Sequence, residues 1–309
     1  MRTITALFVG LGSIGTRHLK NLANLCADRG WTLQADALRS DLTRPLRPGV
    51  AELLHAQYTD PAAAPAHYDM VFITNPTSLH AEALRQVKGR GEALFIEKPI
   101  FSAEQTGLAL DQLLPAGQKA YVAAPMRWCG AMLALKDRLP ALHPYCARVI
   151  CSSYLPDWRP GVDYRTVYSA RKALGGGVTI DLIHEWDYLV ELFGVPEKLY
   201  NFKGTYSELE IDSDDLSVYI AKYPTLLAEV HLDYFGRGYR RSIELFCRDG
   251  SYLADFGKGT LTLPDGTVQH YEEDVNRRYE REMEYFVDYA LTGCGESCNP
   301  PALALKVLK

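Results

Sequence analysis

The stretch "TALFVGLGSIGTRHLKNLANL" at residues 5–25 decides the fold of the first half of the chain. It opens with an apolar run, passes through a Gly-x-Gly-x-x-Gly sequence, and then spaces its leucines for one face of a helix. A strand, this glycine turn and a helix in that order are typical of a dinucleotide-binding unit. Gly10 permits the tight turn, Gly12 lets the backbone approach a pyrophosphate, and Gly15 lets the helix pack closely on the strand. We therefore predict a phosphate site at the start of this helix, formed by Gly10, Gly12, Ser13, Ile14 and Gly15.

Further strand and helix segments follow along the chain. "DMVFITNPTSLHAEALRQVKG" (69–89) and "EALFIEKPI" (92–100) each contain a buried strand, a helix is predicted over 102–114, and "KAYVAAPMRW" (119–128) is the closing strand. Repeated strand–helix units predict a doubly wound parallel sheet. Such sheets bind ligands at the carboxyl ends of their strands. The residues at those ends are therefore expected to contact the cofactor: Thr74, Asn75, Pro76, His80, Glu97 and Lys98.

The second predicted strand, Leu33 to Leu38, bears on which nicotinamide cofactor is bound. An acidic residue at the strand tip binds the ribose 2′-OH of NAD, whereas Arg or Ser accommodates the 2′-phosphate of NADP. Asp36 lies at about the usual distance from the glycines, but the long helix–strand connection moves the tip towards Arg39 and Ser40. The sequence therefore favours NADP, with NAD as the alternative.

Composition and charge exclude several classes of function. The 309 residues suffice for about two domains, and a hydrophobic share of 47% argues against disorder. A net charge of -5 argues against non-specific binding of nucleic acid. No membrane span or signal peptide is apparent, and the seven cysteines form no CxxC pair. We expect a cytoplasmic protein with no metal site and with neither nucleic acid nor a membrane as partner.

A second informative stretch, "GGGVTIDLIHEWDYLVELFG", lies at residues 175–194. Three glycines precede an apolar run with helical spacing, and this run carries Asp181 and His184 three residues apart, which places both on one helix face. Packing alone requires neither side chain, and an imidazole with an ordinary pKa near 6.5 can exchange a proton at neutral pH. A buried structural histidine is the alternative. We interpret the glycines as letting the backbone approach a bound cofactor or substrate.

In this order, "GLGSIGTRH", "ITNPTSLHAEA", "EKPI", "MRW" and residues 175–194 resemble the glucose–fructose oxidoreductase, inositol dehydrogenase and rhizopine catabolism (Gfo/Idh/MocA) family of NAD(P)-dependent oxidoreductases. The resemblance implies an α/β protein: an N-terminal Rossmann domain, then an α/β domain on a large open, mostly antiparallel sheet. It also implies oxidation or reduction of a sugar or polyol hydroxyl, and assembly as a homodimer or homotetramer through the open sheet. We place the two domains at 1–122 and 123–309.

The resemblance also implies site residues. The family's catalytic lysine falls on Lys98 and its helix histidine on His184. Hydride transfer from a hydroxyl-bearing carbon requires one group that takes the hydroxyl proton and a cation that stabilises developing negative charge on oxygen. We expect Lys98 and His184 to provide these, and Asp181 to orient the substrate hydroxyl or the imidazole. Two features depart from the family: many members space this Asp and His four residues apart, and Pro125 stands where relatives more often have Asn.

The segment before the glycines, residues 152–177, suggests the class of substrate. It is long and rich in aromatic and basic residues, and long loops of this kind often bind ligands. Aromatic rings pack on sugar rings, and arginine pairs with carboxylate or phosphate. We predict an anionic sugar, either a sugar acid or a nucleotide sugar. The stretch "YLPDWRPGVDYR" (154–165) also resembles family members of bacterial surface-sugar pathways, which implies a substrate of that kind. The predicted substrate contacts are Arg127, Trp158, Arg159, Tyr164, Arg165 and Tyr168. A solvated loop, or one that packs on a neighbouring subunit, is the alternative.

Two other functions remain open from the sequence. One is a hydrolase or lyase that retains NAD and oxidises its sugar only transiently, so that turnover would cause no net cofactor change. The other is a catalytically silent regulator that senses NADP.

Overall fold

The glycine-rich stretch forms strand β1 (Thr3–Val9) and helix α1 (Ser13–Asp28) in the computed structural model, which describes residues 2–309. β1 lies at the centre of a parallel sheet with the strand order β3-β2-β1-β4-β5-β6, the order of a Rossmann fold. Its other strands are β2 (Thr32–Leu38), β3 (Leu54–Tyr58), β4 (Tyr68–Ile73), β5 (Gly91–Ile96) and β6 (Lys119–Val122). The predicted doubly wound sheet is confirmed.

The central strands are apolar on both sides because both faces of this sheet are covered. Along β1, Ala6 and Phe8 join one buried cluster, whereas Leu7 and Val9 join a second cluster on the opposite face. Strand side chains alternate between faces, so a continuous apolar run can fill two cores at once. In the first cluster the ring of Phe8 stacks on Phe72 at 4.4 Å.

Two local predictions for this sheet differ from the structure. Strand β3 was not predicted, because it is an edge strand with polar, exposed residues at His55 and Gln57. The helix predicted over 102–114 is broken into a 3-10 turn and the short helix α3 (Leu110–Leu113). Gly107 interrupts the segment, and glycine in a helix interior costs about 1 kcal/mol relative to alanine. Helix α2 (His80–Gln86) is formed as predicted.

The end of the chain belongs to the same unit as this sheet. Residues up to Ala124 group with Tyr279–Lys309, whereas Pro125–Arg278 form the second unit. This differs from the boundary predicted at 122/123, which assigned the whole remainder to the second domain. The cause is helix α7 (Val275–Thr292), whose Met283 and Phe286 lie in the buried cluster around Phe8. Helix α8 (Pro301–Leu308) completes the chain.

The second unit is built on a large open sheet in the described part of the chain, with the order β14-β13-β12-β11-β7-β10-β9-β8. Only the β7–β10 pairing among these strands is parallel, so the predicted mostly antiparallel sheet is confirmed. The strands are β7 (Cys146–Tyr154), β8 (Lys198–Gly204), β9 (Leu216–Lys222), β10 (Leu227–Asp233), β11 (Phe235–Cys247), β12 (Gly250–Asp255), β13 (Thr260–Thr262) and β14 (Val268–His270). The helices are α4 (Gly130–Arg138), α5 (Val178–Asp181) and α6 (His184–Phe193).

The two faces of this sheet are not equally covered. Along β9, Tyr219 and Ala221 are buried, whereas Ile220 between them points to the other face and is exposed. Tyr200 on β8 pairs with Ile220, and Phe202 two residues further along is 75% exposed. One face of the sheet edge therefore carries a row of exposed apolar side chains. Within residues 2–309, no helix combines the length and apolar character needed to span a membrane.

Candidate active site

Two glycines of the β1–α1 turn are required by the packing of the chain itself. Gly10 has φ +90°, and a Cβ there would lie 2.8 Å from the Cα of Asn75. A Cβ on Gly15 would lie 2.5 Å from the carbonyl oxygen of Gly10 and 2.7 Å from Oγ1 of Thr74. Side chains do not approach other atoms so closely, so both positions exclude any other residue. These two glycines fix the shape of the turn.

Gly12 differs from its two neighbours because the described chain gives no packing reason for it. No atom of residues 2–309 lies within 4 Å of a Cβ built on Gly12, and its φ of −71° suits any residue. Gly12 is also the N-cap of α1, which has no capping side chain and no acidic residue in its first turn in the described structure. The first N–H groups of this 16-residue helix therefore have no capping side chain, and such groups suit a phosphate. The turn fits the pyrophosphate of a dinucleotide.

The predicted cofactor contacts after β4 mainly hold this turn and the neighbouring loop in place. Thr74 donates a hydrogen bond to the Gly10 carbonyl at 2.6 Å, so its hydroxyl is already engaged. The two ring nitrogens of His80 lie 3.0 Å from the Asn75 carbonyl and 3.1 Å from the Ile100 carbonyl. Burial lowers the pKa of His80. Pro76 is the N-cap of the 3-10 turn Thr77–Leu79.

The end of β2 separates the two possible 2′-ribose contacts. Asp36 is only 3% exposed and accepts a hydrogen bond from the Tyr68 hydroxyl at 2.8 Å, so this acid lies inside the sheet and not at its tip. β2 ends at Leu38, and Arg39 and Ser40 follow directly. The strand tip thus falls before Arg39 and Ser40, but the helix–strand connection from which this was predicted is short, because only residues 29–31 separate α1 from β2.

An open pocket beside this strand end is lined by basic residues. Its volume is about 450 Å³, and Arg39, Arg44 and Arg47 contribute to its lining together with Glu52. The Arg39 guanidinium donates to the Gln57 side chain and to the Arg44 carbonyl, which holds it at the pocket. Three arginines against one carboxylate give the pocket a net positive charge, which suits a phosphate.

The segment after β5 presents Lys98 beside a buried carboxylate. Glu97 is buried, and its oxygens accept from the His18 ring at 2.5 Å and from the Lys98 backbone N–H at 3.1 Å. Burial raises the pKa of Glu97, but the hydrogen bond and charge of His18 outweigh it, so the pKa lies below its usual value. The Lys98–Pro99 peptide bond, whose isomer the sequence left open, is cis. Lys98 itself is partly exposed.

In the second unit, Asp181 and His184 belong to two successive helices and not to one. Asp181 is the last residue of α5, and Leu182 is the C-cap of that helix. His184 is the first residue of α6. Both carboxylate oxygens of Asp181 accept hydrogen bonds from tyrosines: Tyr168 on one oxygen and Tyr234, at 2.5 Å, on the other. Burial and the Asp181 charge raise the pKa of both tyrosines, which therefore stay protonated donors. Tyr234 was not predicted from the sequence, because it follows β10 some fifty positions away.

Two of the three glycines at 175–177, Gly176 and Gly177, pack against the second unit itself, which gives them a structural role that their interpretation as an approach surface for a ligand did not include, whereas Gly175 has open space around it. A Cβ on Gly176 would overlap the Tyr168 carbonyl oxygen, and one on Gly177 would overlap the Asp214 carboxylate. Asp214 also accepts hydrogen bonds from the Thr179 N–H and hydroxyl at 3.0 and 2.7 Å, which anchors the start of α5. The glycines therefore allow the loop to close on the chain just before Asp181.

The predicted substrate contacts divide into buried and exposed residues. Arg127 is 2% exposed, and its Nε and Nη2 donate to Asp187 at 2.7 and 2.8 Å, so the structure gives its guanidinium a buried partner inside the unit. Trp158 is partly exposed, donates to Ser153 at 3.1 Å, and packs edge-on against Tyr234.

The remaining predicted contacts lie on the surface of the loop. Arg165 pairs with Asp163 at 2.9 Å and with Glu210 at 3.0 Å. The Tyr164 hydroxyl accepts from the Glu210 N–H at 3.2 Å, and Arg159 is exposed. Among the described residues, no group of three or more His, Cys, Asp or Glu side chains is arranged to hold a metal ion.

A protein-family model described as "Oxidoreductase family, NAD-binding Rossmann fold" (GFO_IDH_MocA) matches residues 4–122. The match covers almost all of the predicted first domain and less than half of the chain. It includes the glycine turn, the Asn75 segment, Lys98 and β6, which are the elements just described. No curated protein matches the chain significantly in sequence.

Solved structures with the same fold extend the similarity over nearly the whole chain. An oxidoreductase from Agrobacterium radiobacter in complex with NAD+, L-tartaric acid and magnesium has a TM-score of 0.80 at 17% identity, with 99% of this chain and 93% of that one covered. A UDP-N-acetylglucosamine 3-dehydrogenase from Acidithiobacillus ferrooxidans has a TM-score of 0.73 at 19% identity, with 100% and 95% covered. A myo-inositol 2-dehydrogenase from Lactobacillus plantarum has a TM-score of 0.76 at 19% identity, with the same coverage. These similarities show the fold of both units.

The first unit combines an uncapped helix start at Gly12, a basic pocket after β2 and an ammonium group at Lys98. The second unit supplies an imidazole at the start of α6 and a carboxylate that two tyrosine hydroxyls hold in place. Dinucleotide binding and proton transfer are both within the chemistry of these groups.

Proposed function

We propose that the protein is an NAD(P)-dependent oxidoreductase that transfers a hydride between nicotinamide and a hydroxyl-bearing or carbonyl carbon of a sugar derivative. The observation that carries this proposal is the turn at Gly12, where a glycine without any packing reason stands at the uncapped start of α1. A plain structural turn has no need of this glycine, whereas a pyrophosphate in close contact with the backbone requires it.

The residues of the chain have to manage a proton and a charge. When bound, the nicotinamide supplies the hydride acceptor or donor. Oxidation of a hydroxyl then requires a group that accepts the proton and a cation that stabilises negative charge on the oxygen. We assign these tasks to His184 and Lys98, which belong to different units, so the assignment rests on the resemblance. We assign Asp181 to orienting the substrate hydroxyl or the imidazole. Its carboxylate accepts hydrogen bonds from the hydroxyls of Tyr168 and Tyr234, so it already binds groups of the first kind.

NADP is the cofactor that the end of β2 supports better. Asp36 is withdrawn into the sheet, whereas Arg39, followed by Ser40, stands at the strand end and lines the pocket with Arg44 and Arg47. An arginine fork pairs with a 2′-phosphate, while the ribose 2′-OH of NAD needs an acid. The acid that follows Ser40 is Asp41, and its carboxylate is already engaged by the Thr43 N–H and hydroxyl and by Arg44 at 3.4 Å.

An anionic sugar, such as a sugar acid or nucleotide sugar, is the proposed substrate class. The second unit is proposed to bind it, with Trp158 as an aromatic platform and with Arg159 and Arg165 near a carboxylate or phosphate. The solved structures of the same fold include proteins named as dehydrogenases of a nucleotide sugar and of inositol, which supports this class. Because Arg127 is held by Asp187, we propose that it supports the fold of the site and does not contact the substrate.

A titration and a turnover assay test this function together. We expect NADPH to bind more tightly than NADH in a fluorescence titration, and a panel of sugar acids and nucleotide sugars to include a compound that changes the nicotinamide absorbance. Lys98→Ala and His184→Ala should each lower turnover at least about a hundredfold, the usual size of acid–base effects, with nucleotide binding retained. Full turnover in both variants would refute the assigned roles. Turnover of sugar without net change in NAD(P)H would indicate the transient-oxidation alternative.

A further inference from the structure

Two buried histidines of the first unit bracket the segment that carries Lys98. His80 contacts the Ile100 carbonyl after the segment, and His18 contacts the Glu97 side chain before it. His80 lies in the loop already expected to contact the cofactor. His18 lies within α1 and has no part in the chemistry proposed above.

The contacts of His18 lead directly to Lys98. The imidazole is 0% exposed, and its Nε2 lies 2.5 Å from Oε1 of Glu97. The other Glu97 oxygen accepts the backbone N–H of Lys98 at 3.1 Å. Because an ionised carboxylate only accepts, Nε2 of His18 carries the proton of this bond. A chain of two hydrogen bonds therefore runs from the helix of the glycine turn to the backbone of Lys98.

Packing alone does not account for a polar pair at this position. The His18 ring lies 4.6 Å from the ring of Phe95 and 6.1 Å from that of Tyr279, so an apolar side chain would suit these neighbours. Burying a histidine and a carboxylate together carries a desolvation cost that apolar residues of similar volume avoid. Within the described residues Nδ1 of His18 is buried without a hydrogen-bond partner. The ring therefore makes its hydrogen bond through Nε2, to Glu97.

We propose that His18 is a positioning residue for Lys98. It fixes the Glu97 carboxylate, the carboxylate fixes the Lys98 backbone, and the ammonium group is thereby held where it acts on the substrate oxygen. The helix that receives the dinucleotide phosphates is thus mechanically joined to the catalytic lysine. This inference rests on the proposed role of Lys98. Misplacement of a catalytic group by about 1 Å lowers turnover by up to about a hundredfold.

The test compares His18→Leu with His18→Gln, because the glutamine amide can still donate a hydrogen bond to Glu97 whereas leucine cannot. Deuterium exchange of the peptide that spans residues 95–101 includes the Lys98 amide and is measured without any substrate. Exchange should be faster in His18→Leu and near the wild-type rate in His18→Gln. With the substrate from the panel, kcat should fall by at least about tenfold in His18→Leu, with KM and the Kd for NADPH little changed, and His18→Gln should recover it.

Two further variants separate the possible failures. His55→Leu removes a different histidine–carboxylate contact of the same unit, with Asp36 at 3.1 Å, and should change neither exchange at 95–101 nor kcat. Lys98→Ala shows whether the lysine matters at all: full activity there overturns the proposed function. Two outcomes overturn the positioning role alone. In the first, Lys98→Ala is inactive but His18→Leu keeps the wild-type kcat. In the second, His18→Gln loses as much kcat as His18→Leu. If His18→Leu does not fold, Glu97→Gln replaces it and should likewise lower kcat with binding retained.

Discussion

The three glycines of the β1–α1 turn look equivalent in the sequence, but each meets a different neighbour in the structure. A Cβ on Gly10 would collide with Asn75, and a Cβ on Gly15 would collide with the Gly10 carbonyl and Thr74. A Cβ on Gly12 would have no neighbour within 4 Å in the described chain. The fold therefore explains two of the glycines and gives no packing reason for the third, which our proposal assigns to a bound phosphate. This difference allows binding and folding to be separated by single substitutions.

We expect Gly12→Ala to weaken nucleotide binding while leaving the fold intact. The added methyl meets no atom of the chain but occupies the space where a pyrophosphate would contact the backbone. The Kd for NADPH should rise at least tenfold, about 1.4 kcal/mol. Unfolding free energy should change by about 1 kcal/mol or less, as for other exchanges at a helix N-cap. Gly15→Ala is the matched control, which should destabilise the protein. Unchanged NADPH affinity in Gly12→Ala would argue against a dinucleotide at this turn.

Single residues also show the limit of what the sequence predicts. The pattern of Gly10, Gly12 and Gly15 predicted the turn correctly, because its local spacing determines its shape. Tyr234 and Arg127 could not be interpreted in this way. Their partners, Asp181 and Asp187, lie far away in the sequence, and the burial that makes these contacts strong is decided by tertiary packing.

At the scale of elements, long apolar segments were predicted better than short or polar ones. β1, β4 and β5 are buried on both faces, so their sequences are continuously apolar and easily recognised. β3 lies at an edge, and two of its five residues are exposed while none is fully buried, so it leaves no such pattern. Helix α7 has an apolar face, but the sequence gives no sign of which sheet that face covers.

The glycine loop before α5 permits an element-scale prediction. Gly176→Ala should destabilise the second unit by roughly 1–3 kcal/mol, because the new Cβ overlaps the backbone of Tyr168 and Ser169 and must displace it. Gly175→Asn is the control: Gly175 has φ +83° with open space around it, and asparagine tolerates that conformation. Urea unfolding measures both. Equal stability of the two variants would show that this loop does not pack as described.

At the scale of the whole molecule, the sequence predicted a parallel sheet in the first half of the chain and a mostly antiparallel sheet in the second. It did not predict which residues at the end of the chain belong to which unit. The boundary falls inside α7, after Arg278, so residues distant in sequence complete the first unit. A continuous amphipathic helix contains no composition change at that point, and sequence patterns detect boundaries only through such changes.

The open face of the large sheet carries the last prediction, that two copies of this chain associate through it. Tyr200, Phe202 and Ile220 expose apolar surface side by side on the outer strands, and the resemblance implies assembly through this sheet. Phe202→Asp places a charge among them and should convert the assembly to monomers in sedimentation velocity, because burying an unpaired carboxylate in an interface is costly. Leu79→Asp, at an equally apolar but separate exposed position of the first unit, should leave the mass unchanged. NADPH should still bind Phe202→Asp, since Phe202 lies in the second unit and the phosphate turn in the first. A wild-type protein that already sediments as a monomer, or a Phe202→Asp variant that keeps the wild-type mass, would contradict an interface on this face.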